Sequence, residues 1–243
     1  MQWVEKFANN QGVRLHYLDS GGLDSGGQGE PALFVPGFGE EAAEHTAVIE
    51  ALAPRRTLVV DLRGRGRSDA PASGYSLAEH IADMEAIVAA AGVERVHLAS
   101  YSRGTSYALG WATRHPEQVA SLTIGDYPAR QIKPPAWFAE KAPTRDWRGR
   151  PIVERMSAPA IAALIGEAVD IELWDRLDAL DCPVLLIRGG APGAIVDDAL
   201  EARYRDHLGD LTVECFEDSA HDLWDPDPHR FVRTWHAFLA KVE

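Results

Sequence analysis

The sequence predicts an α/β protein: a mostly parallel, twisted sheet of about eight strands with helices on both faces and a small helical cap insertion. Two observations predict this fold. Short apolar runs alternate with longer segments of helical spacing, and the connections between them are short. Several apolar runs are rich in β-branched residues and bounded by turn residues, as buried parallel strands are. The chain has 243 residues, of which 46% are hydrophobic, and this is enough for one domain with a large core.

The candidate elements follow one another in regular alternation. Candidate strands occupy residues 13–18, 32–35, 57–61, 95–100, 119–126, 183–188 and 211–216. Candidate helices occupy residues 45–53, 76–91, 104–115, 196–207 and 228–242. Ser76 is followed three residues later by Glu79, which is the spacing of a capping box at a helix start. The glycine-rich stretch at 21–29 is expected to form a hairpin loop between two early antiparallel strands.

Residues 127–181 interrupt the alternation of strands and helices. The segment is too long for a plain connection and is rich in proline and aromatic residues. We expect a small helical cap here, inserted between two parts of one core domain at residues 1–126 and 182–243. The candidate pocket residues belong to this segment and to the sheet edge that it would cover: Gly37, His45, Tyr127, Trp137, Phe138, Trp147 and Trp174.

The charge balance limits the partners that this chain can bind. Its 24 basic and 37 acidic side chains give a formal net charge of −13. Such a surface repels phosphate backbones and anionic bilayers, so we expect no nucleic acid and no membrane as partners. No apolar run approaches the roughly 18 residues of a spanning helix, and the start lacks the features of a secretory signal. We therefore expect a cytoplasmic protein, and the composition leaves a homodimer open.

Ser102 lies at the junction of a predicted strand and a predicted helix, between Ser100 and Gly104. A sharp strand-to-helix turn brings the backbone close at these flanking positions, so both residues must be small. The turn would raise the Ser102 hydroxyl above the sheet and aim the N–H of Arg103 at the same point. Ser106 lies one turn along the helix and lacks this placement. Ser102 is therefore a candidate nucleophile, and a polar loop without chemistry is the alternative.

A second glycine turn ends an early strand, in the stretch Phe34-Val35-Pro36-Gly37-Phe38-Gly39. There the N–H of Phe38 could join the N–H of Arg103 in stabilising an oxyanion. The motif is weak alone, because glycine turns after strands are common. The arginine-rich loop at 61–69 could suggest phosphate binding, but the net charge of −13 favours a structural loop with local ion pairs.

Four motifs, taken in this order, resemble the α/β-hydrolase superfamily over nearly the whole chain. They are the Gly-Phe-Gly turn at 37–39, the Asp-Leu-Arg-Gly-Arg-Gly-Arg-Ser-Asp loop at 61–69, Ser-Tyr-Ser-Arg-Gly at 100–104 and Asp-Ser-Ala-His-Asp at 218–222. The chain departs from the family pattern at Ser100, where glycine is usual, and at Pro36, where many members have histidine. Both departures are tolerable, because the oxyanion donors are backbone groups.

The resemblance implies a role for each matching residue. Ser102 would be the nucleophile and His221 the general base, with the N–H groups of Phe38 and Arg103 forming the oxyanion hole. Such an imidazole needs a carboxylate on its other nitrogen, which holds the tautomer and stabilises the imidazolium. The position of that carboxylate is the main question that the sequence leaves open.

Two positions compete for the acid. Family members usually carry it just beyond the strand at 183–188, but the loop here has no carboxylate before Asp197 and Asp198. Asp126 closes the preceding strand, where some relatives, including haloalkane dehalogenases and zearalenone lactonases, carry their acid. A helix start attracts aspartates for its own reasons, so we expect Asp126 to be the acid, with Asp197 or Asp198 as the alternative.

The remaining polar clusters indicate neither a metal nor a cofactor. The stretch 221–229 holds two histidines and three aspartates, but a capped helix start with proline explains its acids better than a metal site does. His45 opens the first helix and is a weaker candidate for the pocket. The Arg103 side chain is equally suited to bind a substrate carboxylate and to pair with a nearby acid.

A serine nucleophile implies acyl transfer to water, with an acyl-enzyme intermediate. The expected reaction is hydrolysis of a carboxylic ester or lactone of a small, largely apolar substrate. Carbon–carbon bond hydrolysis, a small aminopeptidase activity and cofactor-free lyase chemistry are alternatives on the same triad. A ligand receptor that retains the fold with a vestigial site is the alternative from another class.

Overall fold

The computed structural model describes residues 3–21 and 29–243. The strands in these residues are β1 (Val4–Asn10), β2 (Val13–Asp19), β3 (Ala32–Val35), β4 (Thr57–Val60), β5 (Val96–Tyr101), β6 (Val119–Gly125), β7 (Arg130–Gln131), β8 (Asp146–Trp147), β9 (Arg150–Pro151), β10 (Ile171–Glu172), β11 (Val184–Gly189) and β12 (Leu211–Phe216). The α-helices are α1 (Thr46–Ala51), α2 (Leu77–Ala91), α3 (Gly104–Ala112), α4 (Ala136–Lys141), α5 (Ala158–Glu167), α6 (Asp198–His207) and α7 (Arg230–Val242). The long predicted elements are present with shifts of a few residues at their ends.

Eight strands form the central sheet in the order β1-β2-β4-β3-β5-β6-β11-β12. β2 runs antiparallel to both of its neighbours, and every pairing from β4 to β12 is parallel. The prediction of a mostly parallel sheet of about eight strands is therefore confirmed. Because the parallel strands share one direction, the loops after β3, β5, β6, β11 and β12 meet at one edge, where α/β proteins place their ligand crevice.

Helices cover both faces of the sheet, and side chains alternate between two apolar cores. Leu33 and Val35 of β3 face a core that also contains residues of α2, α3 and α6. Ala32 and Phe34 face the opposite core, which contains residues of α1 and α7. Every residue of β3 and β4 is buried, as expected for strands covered on both faces. This double burial explains why the continuous apolar runs predicted these strands well.

The start of the chain differs from the prediction. The proposed hairpin loop at 21–29 falls largely on residues 22–28, which lie outside the described residues. The strands that flank it, β2 and β3, are not neighbours, because β4 lies between them. The hairpin instead joins β1 to β2 across Gln11 and Gly12, whose φ angles of 50° and 91° lie in the left-handed region. β1 escaped prediction because its residues are mostly polar and exposed at the sheet edge.

Residues 127–181 contain α4, α5 and two short ribbons, β7 with β10 and β8 with β9. Their apolar side chains form a third cluster, which includes Ile152, Ile161 and Leu164. Towards its end the segment rejoins the main core, because Leu173 and Trp174 pack there. The separation into a cap and a core domain stays a prediction. Among the described residues no helix is long and apolar enough to cross a membrane.

Candidate active site

Ser102 sits in the tight turn between β5 and α3, and its φ angle of 51° lies in the left-handed region. Its N–H donates to Gly125 O at 2.9 Å, which ties the turn to the end of β6. Gly104 lies so close to β3 that a Cβ there would collide with the carbonyl oxygens of Val35 and Pro36. The strained turn is therefore held by the neighbouring strands, and it raises the serine side chain above the sheet edge.

The two other serines of this stretch have different partners. Ser100 is fully buried, and its Oγ lies 3.0 Å from Thr105 Oγ1. Ser106 Oγ donates to Arg130 O at 2.9 Å. Serine is accommodated at position 100, where the family usually has glycine, because its hydroxyl finds a partner inside the turn.

His221 lies in the loop after β12 and contacts Ser102 directly. Its Nε2 is 2.9 Å from Ser102 Oγ, and its Nδ1 is 2.8 Å from Asp126 Oδ2. Tyr101 OH donates to His221 O at 2.7 Å, and the two rings stack with centroids 5.2 Å apart. Burial raises the pKa of the Tyr101 phenol well above its usual value, so this hydroxyl stays protonated and remains a donor. The imidazole is thus fixed from three sides.

Asp126 is fully buried at the end of β6, with a φ angle of 42°. Its two oxygens accept from Ile195 N at 2.9 Å and from Val196 N at 3.0 Å. Both donors belong to the loop after β11, which is the loop where family members usually carry the acid. Here the loop holds the carboxylate of the neighbouring strand end by its backbone. Oδ2 thus accepts from both Ile195 N and the imidazole, and Oδ1 accepts from Val196 N, so both carboxylate oxygens have hydrogen-bond donors.

The alternative acids lie elsewhere. Asp197 caps α6, because its side chain accepts from Leu200 N at 2.9 Å. Asp198 is 93% exposed and pairs with Arg188 at 2.7 Å. Neither carboxylate forms a hydrogen bond or an ion pair with His221 in the described part of the chain. Both therefore serve the start of the helix, where aspartate is favourable in any case.

The Gly37 turn packs directly against the serine. A Cβ at Gly37 would lie 3.2 Å from Ser102 Cβ, so any other residue here would press against the serine. Phe38 and Arg103 line the same cavity as Ser102. Their N–H groups donate to no other backbone group among the residues described here. Two backbone donors are thus available beside the hydroxyl, which is the arrangement that stabilises a developing oxyanion.

The cavity above Ser102 has a volume of about 380 Å³, a size typical of small-molecule sites. Most of its lining is apolar or aromatic: Phe38, Tyr101, Tyr127, Ile132, Pro134, Pro135, Phe138, Trp147, Ile152 and Ile195. The segment 127–181 supplies several of these side chains. Of the predicted pocket residues, Gly37, Tyr127, Phe138 and Trp147 line the cavity.

Three predicted pocket residues lie outside the cavity, and the prediction is wrong for them. Trp174 is 1% exposed and packs in the main core against Tyr204, with ring centroids 4.7 Å apart. Trp137 is 57% exposed, with its ring centroid 5.9 Å from that of Phe138 and 5.5 Å from Lys141 Nζ. His45 is buried behind Glu40, with its Nε2 3.3 Å from Glu40 Oε2. Aromatic content indicated a pocket wall, but it could not tell which aromatic rings face inward.

The arginine side chains near the turn are structural. Arg103 Nε donates to Tyr107 OH at 2.9 Å and its Nη1 donates to Ile132 O at 2.7 Å. Arg103 has no ion pair with a carboxylate within the residues described, so pairing with a nearby acid, one of the two alternatives, is not observed. Arg65, from the loop at 61–69, donates through Nε to Phe38 O at 3.1 Å. Both guanidinium groups therefore support the walls of the cavity from behind.

Sequence reasoning missed three charged residues around the site. Glu40 lines the cavity. Arg148 pairs with Glu40, and Asp222 is the residue that follows His221 in the chain. Arg148 pairs with both carboxylates, at 3.0 Å and 2.7 Å. No local pattern marked them, because the contacts join distant parts of the chain.

Comparisons with known proteins place this fold. A family model described as the alpha/beta hydrolase fold matches residues 31–149. N-formylmaleamate deformylase from Pseudomonas putida is 26% identical over 257 aligned positions, which cover 94% of this chain and 93% of the deformylase. An esterase from Rhodococcus sp. ECU1013 superposes with a TM-score of 0.80 at 21% identity, over 100% of both chains. The enol-lactonase from Burkholderia xenovorans LB400 superposes with a TM-score of 0.81 at 19% identity, over 97% of this chain and 100% of that one.

Together with the sheet order, these matches show that this chain has the alpha/beta hydrolase fold. The resemblance that the four sequence motifs indicated is therefore confirmed at the level of the fold. The identity of the reacting groups and of the substrate is a separate question, which the geometry of the site addresses.

Proposed function

We propose that this protein hydrolyses a carboxylic ester or lactone of a small, largely apolar substrate through a Ser102, His221 and Asp126 triad. The observation that carries this proposal is the pair of contacts made by one imidazole, 2.9 Å to Ser102 Oγ and 2.8 Å to Asp126 Oδ2. These three residues follow strands of the sheet at one edge, where Ser102 and His221 line the cavity of about 380 Å³.

In the first half of the reaction, Ser102 Oγ attacks the carbonyl carbon while His221 Nε2 takes its proton. The carbonyl oxygen becomes an oxyanion, and the N–H groups of Phe38 and Arg103 donate hydrogen bonds to it. As the intermediate collapses, the imidazolium returns the proton to the leaving oxygen. The alcohol departs, or remains attached as a hydroxyl when the substrate is a lactone, and the acyl group stays on Ser102.

In the second half, a water molecule gives its proton to His221 and attacks the acyl-enzyme. The same two N–H groups stabilise the second oxyanion. The imidazolium then protonates Ser102 Oγ as the bond to the acyl carbon breaks. Asp126 accepts from His221 Nδ1 and stabilises the imidazolium, while Ile195 N and Val196 N hold its carboxylate in place.

Several observations support this substrate class. The cavity is lined mostly by apolar and aromatic side chains, which suits an apolar acyl chain or ring. Two of the structural neighbours are described as an esterase and an enol-lactonase. The alignment with N-formylmaleamate deformylase covers 94% of this chain, and this favours hydrolysis of a formamide as a second candidate reaction. That reaction uses the same steps, with His221 protonating a leaving nitrogen instead of an oxygen.

A substrate panel tests the proposal. Purified protein and the Ser102→Ala variant are assayed with p-nitrophenyl esters of increasing acyl length, simple lactones and N-formyl amides. A fluorophosphonate probe measures in parallel how fast the serine hydroxyl reacts. We expect turnover of at least one ester or lactone, rapid labelling, and loss of both in Ser102→Ala. A wild-type protein that neither turns over any member of the panel nor reacts with the probe would overturn the proposal.

A further inference from the structure

Glu40 is a carboxylate in the wall of the cavity and is only 2% exposed. Its Oε2 accepts from Gly37 N at 2.7 Å and lies 3.3 Å from His45 Nε2. Its Oε1 accepts from Trp147 Nε1 at 3.1 Å and pairs with Arg148 Nη1 at 3.0 Å. One buried carboxylate thus joins the glycine turn beside Ser102 to the β8–β9 ribbon.

Arg148 extends this network to the loop that carries the imidazole. Its Nη2 lies 2.7 Å from Asp222 Oδ1, and its Nε lies 3.0 Å from Asp222 Oδ2. The guanidinium also stacks over Trp224, 4.4 Å from the ring centroid. A planar guanidinium with a fixed set of donors is suited to hold two carboxylates and a ring at once.

The charge of the buried Glu40 carboxyl depends on its neighbours. Burial raises the pKa of the Glu40 carboxyl, but His45, the Arg148 guanidinium and the Gly37 N–H together hold it at about 2, below its usual 4.5. Glu40 is therefore ionised at neutral pH. Because the carboxylate is buried, removing Arg148 would leave a charge without its guanidinium partner.

We infer that Arg148 is a positioning residue. Through its ion pairs with Glu40 and Asp222 it holds three segments in one arrangement: the glycine turn at 37–39, the β8–β9 ribbon and the loop that carries His221. This inference rests on the proposed function, since the groups that it positions are the Phe38 N–H and the His221 ring. Glu40 holds the N–H of the residue before Phe38, and Asp222 is the next residue after His221. The segment 127–181 thus contributes to the catalytic geometry as well as to the cavity wall.

The test compares Arg148→Met with Arg150→Met, a matched control from the same ribbon. Arg150 also pairs with several carboxylates, Glu41 at 3.0 Å and Glu154 at 3.2 Å among them, but within the described residues it pairs with neither Glu40 nor Asp222. We expect Arg148→Met to lower kcat and the fluorophosphonate labelling rate by about 10- to 100-fold, as small displacements of reacting groups do. KM for a small ester should change little, and Arg150→Met should keep both rates within about twofold of wild type.

Two further variants separate positioning from folding. Arg148→Lys keeps the charge but cannot hold both carboxylates, so we expect it to fold and to lose a similar factor in the labelling rate. The double variant Glu40→Gln with Arg148→Met removes the uncompensated buried charge. Its midpoint of thermal unfolding should recover relative to Arg148→Met, while its labelling rate should stay low. If the double variant recovered both the midpoint of thermal unfolding and the labelling rate, the role of Arg148 would be purely structural and the inference would be overturned.

The labelling rate also keeps this test distinct from that of the proposed function, because it needs no natural substrate. If wild type fails to react with the probe, the proposed function fails. If wild type reacts and Arg148→Met reacts equally fast, the proposed function survives and the positioning role of Arg148 is overturned.

Discussion

The Asp126 carboxylate lies 2.8 Å from the His221 imidazole although 95 residues separate the two in the chain. Asp126 ends β6, whereas the loop after the adjacent strand β11 contributes only backbone donors, Ile195 N and Val196 N. The carboxylate thus comes from the end of β6, and its N–H donors come from the loop where many family members carry the acid. This arrangement is possible because β6 and β11 are parallel neighbours, so that the loops following them meet at the same edge.

This arrangement predicts the effect of removing the charge from Asp126. Asp126→Asn should lower kcat by about 10⁴-fold, because an amide neither holds the required tautomer nor stabilises the imidazolium. Asp197→Asn is the matched control, since asparagine caps a helix as well as aspartate does, and it should stay within about twofold of wild type. Steady-state kinetics with an activated ester measure both variants. A normal kcat for Asp126→Asn with a large loss for Asp197→Asn would assign the acid to Asp197.

The turn at Ser102 makes a second prediction. Gly104→Ala should destabilise the protein by about 3 kcal/mol and abolish turnover, because the added Cβ meets the Val35 and Pro36 carbonyls and no side chain can yield. Gly166→Ala is the control, since a Cβ at this position of α5 meets nothing within 4 Å. That variant should be as stable as wild type or more stable by about 0.5 kcal/mol. Urea unfolding measures both, and a Gly104→Ala protein with normal stability would contradict the close approach of α3 to β3.

Phe138 and Trp137 are adjacent in sequence but face opposite ways, and this gives a third prediction. Phe138 lines the cavity, whereas Trp137 is 57% exposed. Phe138→Ala should lower kcat/KM for the ester that best fills the cavity by about tenfold, which corresponds to about 1.4 kcal/mol of lost apolar contact. Trp137→Ala should leave the ester preference unchanged. The ratio of kcat/KM across an ester series checks this, and equal effects of the two variants would exclude Phe138 as a specificity residue.

Much of the fold could be predicted from the sequence, because buried parallel strands require continuous apolar runs. β3 and β12 occupy the predicted residues, and the other predicted strands shift by one residue at one or both ends. β1 could not be found this way, since an exposed edge strand carries polar residues. The hairpin placed at 21–29 was wrong for a related reason: chain order does not reveal that β4 lies between β2 and β3.

The site was predictable where a local turn imposes its own residues. Ser102 and Gly104 share one tight turn, so sequence spacing alone indicated their placement. The pocket candidates Trp174 and His45 failed because their rings pack against Tyr204 and Trp224, which are distant from them in sequence. Arg148 and its partner Asp222 are 74 residues apart, and no spacing rule connects them. Long-range ion pairs of this kind require the folded chain.

The pKa of Glu40 makes the last prediction, which concerns stability rather than rate. Burial raises this pKa, but His45, Arg148 and the Gly37 N–H hold it at about 2, whereas the unfolded carboxyl has a value near 4.5. A carboxyl whose pKa is lower in the folded state contributes stability above the unfolded value, and this contribution is lost as the pH falls towards the folded value. The difference of pKa corresponds to about 3 kcal/mol at neutral pH.

The free energy of unfolding of wild type and of Glu40→Gln should therefore converge on acidification. Between about pH 7 and about pH 3.5, we expect the difference between them to narrow by about 1 kcal/mol, since glutamine cannot titrate. Glu50→Gln, which changes an exposed carboxylate of α1, is the control, and its difference from wild type should stay nearly constant. Urea unfolding at each pH gives both differences. If the difference in free energy of unfolding between wild type and Glu40→Gln did not depend on pH, the ion pair with Arg148 would not be holding the Glu40 carboxyl in its ionised form.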